Sequence, residues 1–257
     1  MNAHPTAVVD SRARVAPDAE IGPYAVIGPD VEVGPGCSIG AHCVISGHTR
    51  LGANNRIYQF VSLGEAPQDK KYRGEATRLE IGAGNTIREF CTLNCGTVQD
   101  AGVTRLGDGN WIMAYVHVAH DCQVGSQVVM ANGTQLGGHV HVGDFAILGG
   151  LTAVHQFCHI GAHSITGAGT VVLQDVPPFT MVSGNPAKPY GINSEGLKRR
   201  AYSADTITRL KRAYRTLYRS GLTLDQARRE LSRQLKHCPE IQVLLDFLSD
   251  AARGIVR

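Results

Sequence analysis

Residues 118–154, "VAHDCQVGSQVVMANGTQLGGHVHVGDFAILGGLTAV", decide the fold. An apolar residue stands at every sixth place: Val118, Val124, Met130, Leu136, Val142, Leu148 and Val154, commonly followed by glycine. The same series runs from Val15 to Leu63 and returns in phase at Ile81, Ile87 and Leu93. It then slips by one residue and continues from Leu106 to Val172. Period six is neither the 3.6 of a helix nor the alternation of a hairpin. It fits short flat strands with a turn after each, three to an 18-residue coil, the sequence signature of a parallel β-helix. The position two before each apolar residue is also small, as at Cys37, Cys43, Thr49, Cys91, Cys122, Thr134, Ala146 and Cys158, and would fill the corner of a triangular prism. Five of the seven cysteines are thereby expected to be buried, inert thiols.

Two segments break the period. The first, "GEAPQDKKYRGEATRLE" (64–80), is polar and charged and reads as a loop thrown out from the prism. The second, "TVQDAGVTR" (97–105), is a shorter excursion. Loops on a rigid scaffold commonly carry function. The repeat ends at a proline-rich exit, "DVPPF" and "NPAKPY", and helical periodicity follows. Ser203 is an expected N-cap for a helix to about residue 219, Thr223 for one to about 237, and Pro239 is expected to start a third. The chain therefore divides into a β-helix over 1–186 and a small α-helical domain over 187–257.

Net charge is only +3, yet residues 187–257 hold 15 Lys and Arg against 7 Asp and Glu, while the rest holds 10 against 15. A basic end on an acidic body suits an acidic partner or a phosphorylated ligand. No aromatic-rich basic stripe or zinc-finger spacing points to nucleic acid. No run approaches a transmembrane span, and the first residues lack the apolar core of a signal peptide, so the expected location is the cytoplasm.

The 18-residue coil converts sequence into a site map, because residues 18 apart stack at about 4.8 Å. His120, Gly138 and Gln156 form one column and Asp121 and His139 the next, with His117 under Gln135 and Gly137 under His155. Several of the eleven histidines thus gather around a residue that has no side chain. A metal site built from His117, His120 and His139 competes with general-base catalysis, and surface histidines without function form the bland alternative. Three-apart spacing on stacked coils does not obviously converge on one tetrahedral point, which weighs against the metal site without closing it, and no metal ligands are assigned. Cys122 points inward and is excluded as a nucleophile. An imidazole base, a carboxylate to fix its tautomer, and a bare backbone N–H at Gly138 are the minimum kit for acyl transfer from a thioester.

Five further stretches carry a resemblance: "YQFVSLGEAPQDKKYRGEATRLEIG" (58–82), "HVAHDCQVG" (117–125), "GGLTAVHQFCHIGAH" (149–163), "QDVPPF" (174–179) and "GINSEGLKRR" (191–200). Through them the whole chain resembles the UDP-N-acetylglucosamine acyltransferases that begin lipid A synthesis. The resemblance implies a left-handed helix, an exception to the right-handed crossover rule, assembled as a homotrimer. It implies transfer of an (R)-3-hydroxyacyl group from the phosphopantetheine of acyl carrier protein to the 3-hydroxyl of UDP-N-acetylglucosamine, with no other cofactor. Carried over by position, His120 is the base, Asp121 its carboxylate, Gly138 the oxyanion N–H, and His117 a substrate-orienting group. Asp69, Lys71 and His139 would meet the sugar and phosphate. His155, Gln156, Asn193, Glu195 and Arg200 would hold the nucleotide, and Arg199 the carrier protein. Ala168 would set acyl length, 2.7 coils or roughly 13 Å from His120 along the axis. The chain departs from the family pattern at Asn94-Cys95, usually His-Arg, at Ala76, often proline, and at Pro186, frequently histidine.

The nearest rivals are a sister enzyme that N-acylates a later UDP-sugar and a coenzyme A-dependent acetyltransferase. The first typically carries a separate domain before its repeats, and the second has less use for a basic helical end.

Overall fold

In a computed structural model that describes residues 2–251 and 253–257, short parallel strands wind into three sheets of 11, 9 and 8 strands. Each coil contributes one strand to each sheet in turn, as with Trp111–Ile112, His117–Val118 and Gln123–Val124. This is the parallel β-helix that the period implies. The inward member of each pair, such as Ile112, Val118 and Val124, is buried in one continuous apolar column. Each such side chain contributes about 1.5–3 kcal/mol when fully buried, so one repeated choice stabilises every coil.

Strand partners lie 18 residues apart through most of the prism, for example Val118 with Leu136. Across the first excursion they lie 30 apart, Arg56 with Thr86. Across the second they lie 25 apart, Arg78 with Val103. The first insertion thus adds twelve residues, two whole repeats, and preserves the phase; the second adds seven and produces the one-residue slip. Both leave the prism at the corner between the second and third sheets.

The five cysteines of the repeat are buried, as expected, and so are Cys95 and Cys238. Burial pushes the Cys122 thiol up to about 12, which removes it from nucleophilic chemistry. At another corner the small positions are asparagines. Asn85 donates its N–H and its side-chain amide to Asn55 Oδ1, at 2.9 and 3.0 Å. Its own Oδ1 accepts both donors of Asn110, at 2.8 and 2.9 Å. All three are about 1 % exposed, so the ladder satisfies backbone N–H groups that a buried corner would otherwise strand.

The sheet continues beyond the expected exit. Thr180–Ser183 adds in parallel, and Lys188–Ile192, past the expected division at 186, returns antiparallel to it. A short helix not foreseen in the sequence, α1 (Ser194–Arg199), follows. It is only six residues, too short for a periodic apolar signal. Helices α2 (Ala204–Tyr218) and α3 (Leu224–Leu235) begin at the expected caps, Ser203 and Thr223, the latter with a full capping box. Helix α4 (Ile241–Asp250) begins two residues after the expected Pro239, which occupies the turn before it. Ile207, Leu210, Leu217, Leu231, Ile241 and Leu244 form a second core that also takes in Phe179. The tail then folds back onto the prism, where Val256 N donates to Asp175 O at 2.9 Å.

The ladder makes a stability prediction. Asn85→Ala keeps the N–H that reaches Asn55 Oδ1 but strands the N–H and the side-chain amide of Asn110 in a dry corner, at about 1–3 kcal/mol for each unsatisfied group. Urea denaturation should show a loss of about 3 kcal/mol; an unchanged midpoint would mean that the ladder contributes no net stability.

Candidate active site

The corner between the second and third sheets carries residues 119–122, 137–140 and 155–158 of successive coils. Asp121 and His139 both adopt φ of +60°, the left-handed turn conformation that Asp and His tolerate better than most residues. His139 N donates to His120 O at 3.0 Å, so the expected columns are the observed ones.

His120 Nδ1 lies 2.8 Å from Asp121 Oδ2. Asp121 is 1 % exposed, and its carboxylate is held by three donors: His120, the Thr97 hydroxyl at 2.6 Å and the Thr97 N–H at 2.9 Å. Burial pushes this carboxyl up, but the hydrogen bonds from His120 and Thr97 outweigh it and hold it below the usual carboxylate range. An ionised Asp121 beside Nδ1 fixes the proton there and leaves Nε2 as the basic nitrogen, a tautomer assigned from the network. His139 meets His120 edge-on, its Nε2 3.8 Å from Asp121 Oδ2 and its Nδ1 2.8 Å from Asp100 Oδ2. His117 Nδ1 pairs with the Thr92 hydroxyl at 2.7 Å, and burial together with the nearby His120 lowers its pKa and keeps it neutral.

Gly138 has to be glycine. A Cβ there would lie 2.6 Å from His120 Cε1 and 2.7 Å from Nε2. Its N–H has no acceptor among the described residues. The ligand atoms of His120, Asp121 and His139 all fall within 4.8 Å of one another, a set that differs from the sequence-based trio by exchanging His117 for Asp121. Both Asp121 oxygens are already taken by short hydrogen bonds, which favours the His–Asp pair over a metal.

The remaining expected site residues divide between two places. Asp69 and the exposed Lys71 lie in the excursion that leaves this same corner, and His155 and Gln156 stand on the corner two coils above His120. Asn193 is buried and committed to structure: its Oδ1 caps α1 through Gly196 N, and its Nδ2 donates to His163 O. Arg200 lies over the Phe145 ring and donates to the carbonyls of Gly196 and Phe145. Glu195 and Arg199 are exposed on α1. Phe145 belongs to the corner between the third and first sheets, so within one chain the α1 residues sit one prism face away from His120. Ala168 is exposed on the corner between the first and second sheets, again not the His120 corner. The way to it crosses the second sheet diagonally over three strand spacings, about 14 Å. Along that sheet the outward residues change from His117 and Gln135 to Ala153 and Val171.

Thr97, Asp100 and Thr92 were not singled out in the sequence. The excursion at 97–105 was visible, but only the fold brings its hydroxyl and carboxylate back onto the histidine corner.

A family model described as Udp N-acetylglucosamine O-acyltransferase, domain 2, matches residues 175–256. A bacterial transferase hexapeptide model matches residues 12–47 and 104–138. The chain is 61 % identical over 254 residues to an acyl-(acyl-carrier-protein)–UDP-N-acetylglucosamine O-acyltransferase of Thiobacillus denitrificans, covering 99 % of this chain and 98 % of that one. The crystal structure of a UDP-N-acetylglucosamine O-acyltransferase from Moraxella catarrhalis matches with a TM-score of 0.99 at 47 % identity, over all of both chains. The corresponding acyltransferase of Francisella novicida matches at 0.97 and 40 %, over 99 % of this chain and 94 % of that one.

Asp121 sets a pH dependence. Its folded pKa lies below the unfolded value of about 3.9. Its contribution is therefore fully present above pH 4 and is lost as pH falls through the folded pKa. Asp121→Asn should lower stability by about 1–3 kcal/mol at pH 7, the range for a hydrogen-bonded charged group, and the gap from wild type should close below pH 4. Denaturation at a series of pH values checks this; a gap that persists or widens in acid contradicts it.

Proposed function

This chain belongs to the acyl-(acyl-carrier-protein)–UDP-N-acetylglucosamine O-acyltransferase family, and we propose that His120 is the general base with which it moves an (R)-3-hydroxyacyl group from acyl carrier protein to the sugar 3-hydroxyl. This is the opening step of lipid A synthesis. The observation that carries the mechanism is the His120–Asp121 pair, buttressed by Thr97 and faced by the bare Gly138 N–H.

In the transfer, His120 Nε2 takes the hydroxyl proton as the sugar oxygen attacks the thioester carbonyl. The carbonyl oxygen gains charge and is met by Gly138 N–H, which costs no reorganisation because the corner already holds it in place. Collapse breaks the C–S bond, and the proton on His120 passes to the departing phosphopantetheine sulfur. Asp121 stabilises the imidazolium between these steps. Each event is a proton or acyl shift between donor and acceptor, so no covalent enzyme intermediate is needed. His117 and His139 orient the sugar, with Asp69 and Lys71 of the ejected loop at its phosphate side. His155 and Gln156 hold the nucleotide.

The reading includes a homotrimer, and two features support self-association. Glu195 and Arg200, on the helix that Asn193 caps, lie one prism face from the base, so they reach nucleotide held beside His120 only when a second copy lays its α1 corner against the first copy's histidine corner. In addition, Tyr24, His42, Phe60, Phe90 and Tyr115 form a stacked column along one edge, at centroid spacings of 4.9–5.3 Å. Tyr24 and Tyr115 are about 60 % exposed, and contiguous exposed aromatic surface of this kind marks interaction sites. Arg199, exposed among the basic residues of the helical end, suits the acidic carrier protein. No helix among the described residues is long and apolar enough to cross a membrane. The reading places the enzyme in the cytoplasm.

Product mass analysis with hydroxyacyl carrier protein and UDP-N-acetylglucosamine tests the function. His120→Ala should reduce turnover by about 10²–10⁴ while the melting temperature holds; near-wild-type turnover would remove His120 from the mechanism. The apolar end of the second sheet generates a further prediction. Ala168→Met, which adds bulk beyond Ala153 and Val171, should shift preference toward shorter donors, and Ala168→Gly should permit longer ones. Competition among carrier proteins loaded with several chain lengths checks this, and an unmoved profile in both variants places the limit elsewhere.

A further inference from the structure

Asn94 and Cys95 take no part in the transfer described above, yet they stand at the neck of both excursions. The first excursion is launched by a bulge at Gly64. The register with the neighbouring strand shifts between Leu63 and Glu65, and Gly64 has φ of +75°, where a Cβ would collide with Thr49 Oγ1 and the Ser46 carbonyl. The chain then leaves the prism through Glu65, the end of its strand, and Ala66. Asn94 Nδ2 donates to both of their carbonyls, at 3.3 and 3.1 Å, and Cys95 N donates to the Glu65 carbonyl at 3.1 Å. The returning end is held by the same segment: the Thr77 hydroxyl donates to Cys95 Sγ at 3.4 Å, and Gly96 N donates to Arg78 O at 3.2 Å. Cys95 Sγ also lies 4.0 Å from the hydroxyl of Tyr72, midway along the loop. Asn94, Cys95 and Thr77 are all under 5 % exposed, whereas Glu65 and Ala66 are exposed, so the clamp is shielded from water on the prism side.

The orientation of the Asn94 amide follows from its surroundings, since a flip would aim its oxygen at two carbonyl oxygens. Its Oδ1 is buried without a partner among the described residues. A leucine or valine would pack that space without an orphaned oxygen, so what the asparagine supplies is its two donors. The chain then continues directly from this clamp to Thr97, which holds Asp121, and to Asp100, which holds His139. Residues 94–100 therefore touch the ejected loop at one end and the catalytic pair at the other.

We propose that Asn94 and Cys95 are positioning residues that fix the 66–77 loop, with Asp69 and Lys71, against the His120–Asp121 pair and so set the affinity for the UDP-sugar. The inference rests on the reading that this loop meets the sugar and phosphate. Neither residue reaches the reacting atoms; they act through the loop.

Asn94→Asp keeps the shape and replaces two donors with an oxygen that repels both carbonyls. In the full chain, amide exchange across 66–77 should quicken about tenfold and KM for UDP-N-acetylglucosamine should rise by a similar factor, as expected for losing about one net buried hydrogen bond. The pH profile of kcat should stay that of the parent, because the base and its carboxylate are untouched. A general structural defect would instead speed exchange throughout the prism and lower kcat as well. Parental loop exchange, or quicker exchange with a parental KM, overturns the proposal. Thr77→Val, which deletes the hydroxyl over Cys95, is read by the same two measurements should Asn94→Asp fail to fold. A parent chain that transfers no acyl group to UDP-N-acetylglucosamine would sink the functional reading instead. The loop's exchange in Asn94→Asp, measured with and without that nucleotide sugar, would still decide the clamp.

Discussion

A coil of this prism has to consume the same number of residues each time, because every inward apolar side chain must land on the one below it and every turn must meet its strand. A shift of one residue in a β-strand exchanges inward and outward faces. Insertions are therefore tolerated only where they leave and return at one corner, and both excursions do so. The seven-residue insertion that offsets the numbering costs the core nothing, because Leu106 still stacks on Ile81 and under Val124. Everything functional in this chain depends on that strictness of register, since it alone makes residues 18 or 25 apart into neighbours.

The histidine corner shows what the register makes possible. Asp121 is a turn residue buried to 1 %, a costly place for a charge unless its lone pairs are filled. Thr97, delivered by the second excursion, fills them with two donors, and His120 supplies the third. The His120–Asp121 pair is thus completed by an inserted segment. The same segment begins with the residues that clamp the larger loop, so the two insertions are mechanically one device built onto the corner.

Legibility in the sequence followed periodicity. The strands, the inward cysteines, the two excursions, the His120–Gly138 and Asp121–His139 columns and the caps at Ser203 and Thr223 were all readable, because each repeats or obeys a local rule. The six-residue α1, the antiparallel strand at Lys188–Ile192 and the return of Val256 to the prism were not, since none has a period and each is held by tertiary contacts. Thr97 and Asp100 were unreadable for a related reason: aperiodic segments have no column, and their partners are set by how the loop closes. Ala168 was readable in its height above His120 but not in the corner on which it stands. Counting residues along the chain gives height, whereas the corner on which a residue falls needs the third coordinate.

That third coordinate also explains how one rigid surface serves two unlike substrates. The second sheet has His120 at one edge and turns apolar as it climbs, from His117 and Gln135 to Ala153 and Val171. A polar sugar and an apolar chain can then meet at the reacting carbonyl while each lies on surface of its own kind. Burial of each CH₂ contributes about 0.8 kcal/mol, so binding energy for the donor accumulates coil by coil away from the chemistry. In the proposed reading, that remote energy would hold the thioester beside Gly138 N–H and His120 Nε2. Such a use of binding energy would lower the barrier of the proposed transfer with no covalent enzyme intermediate.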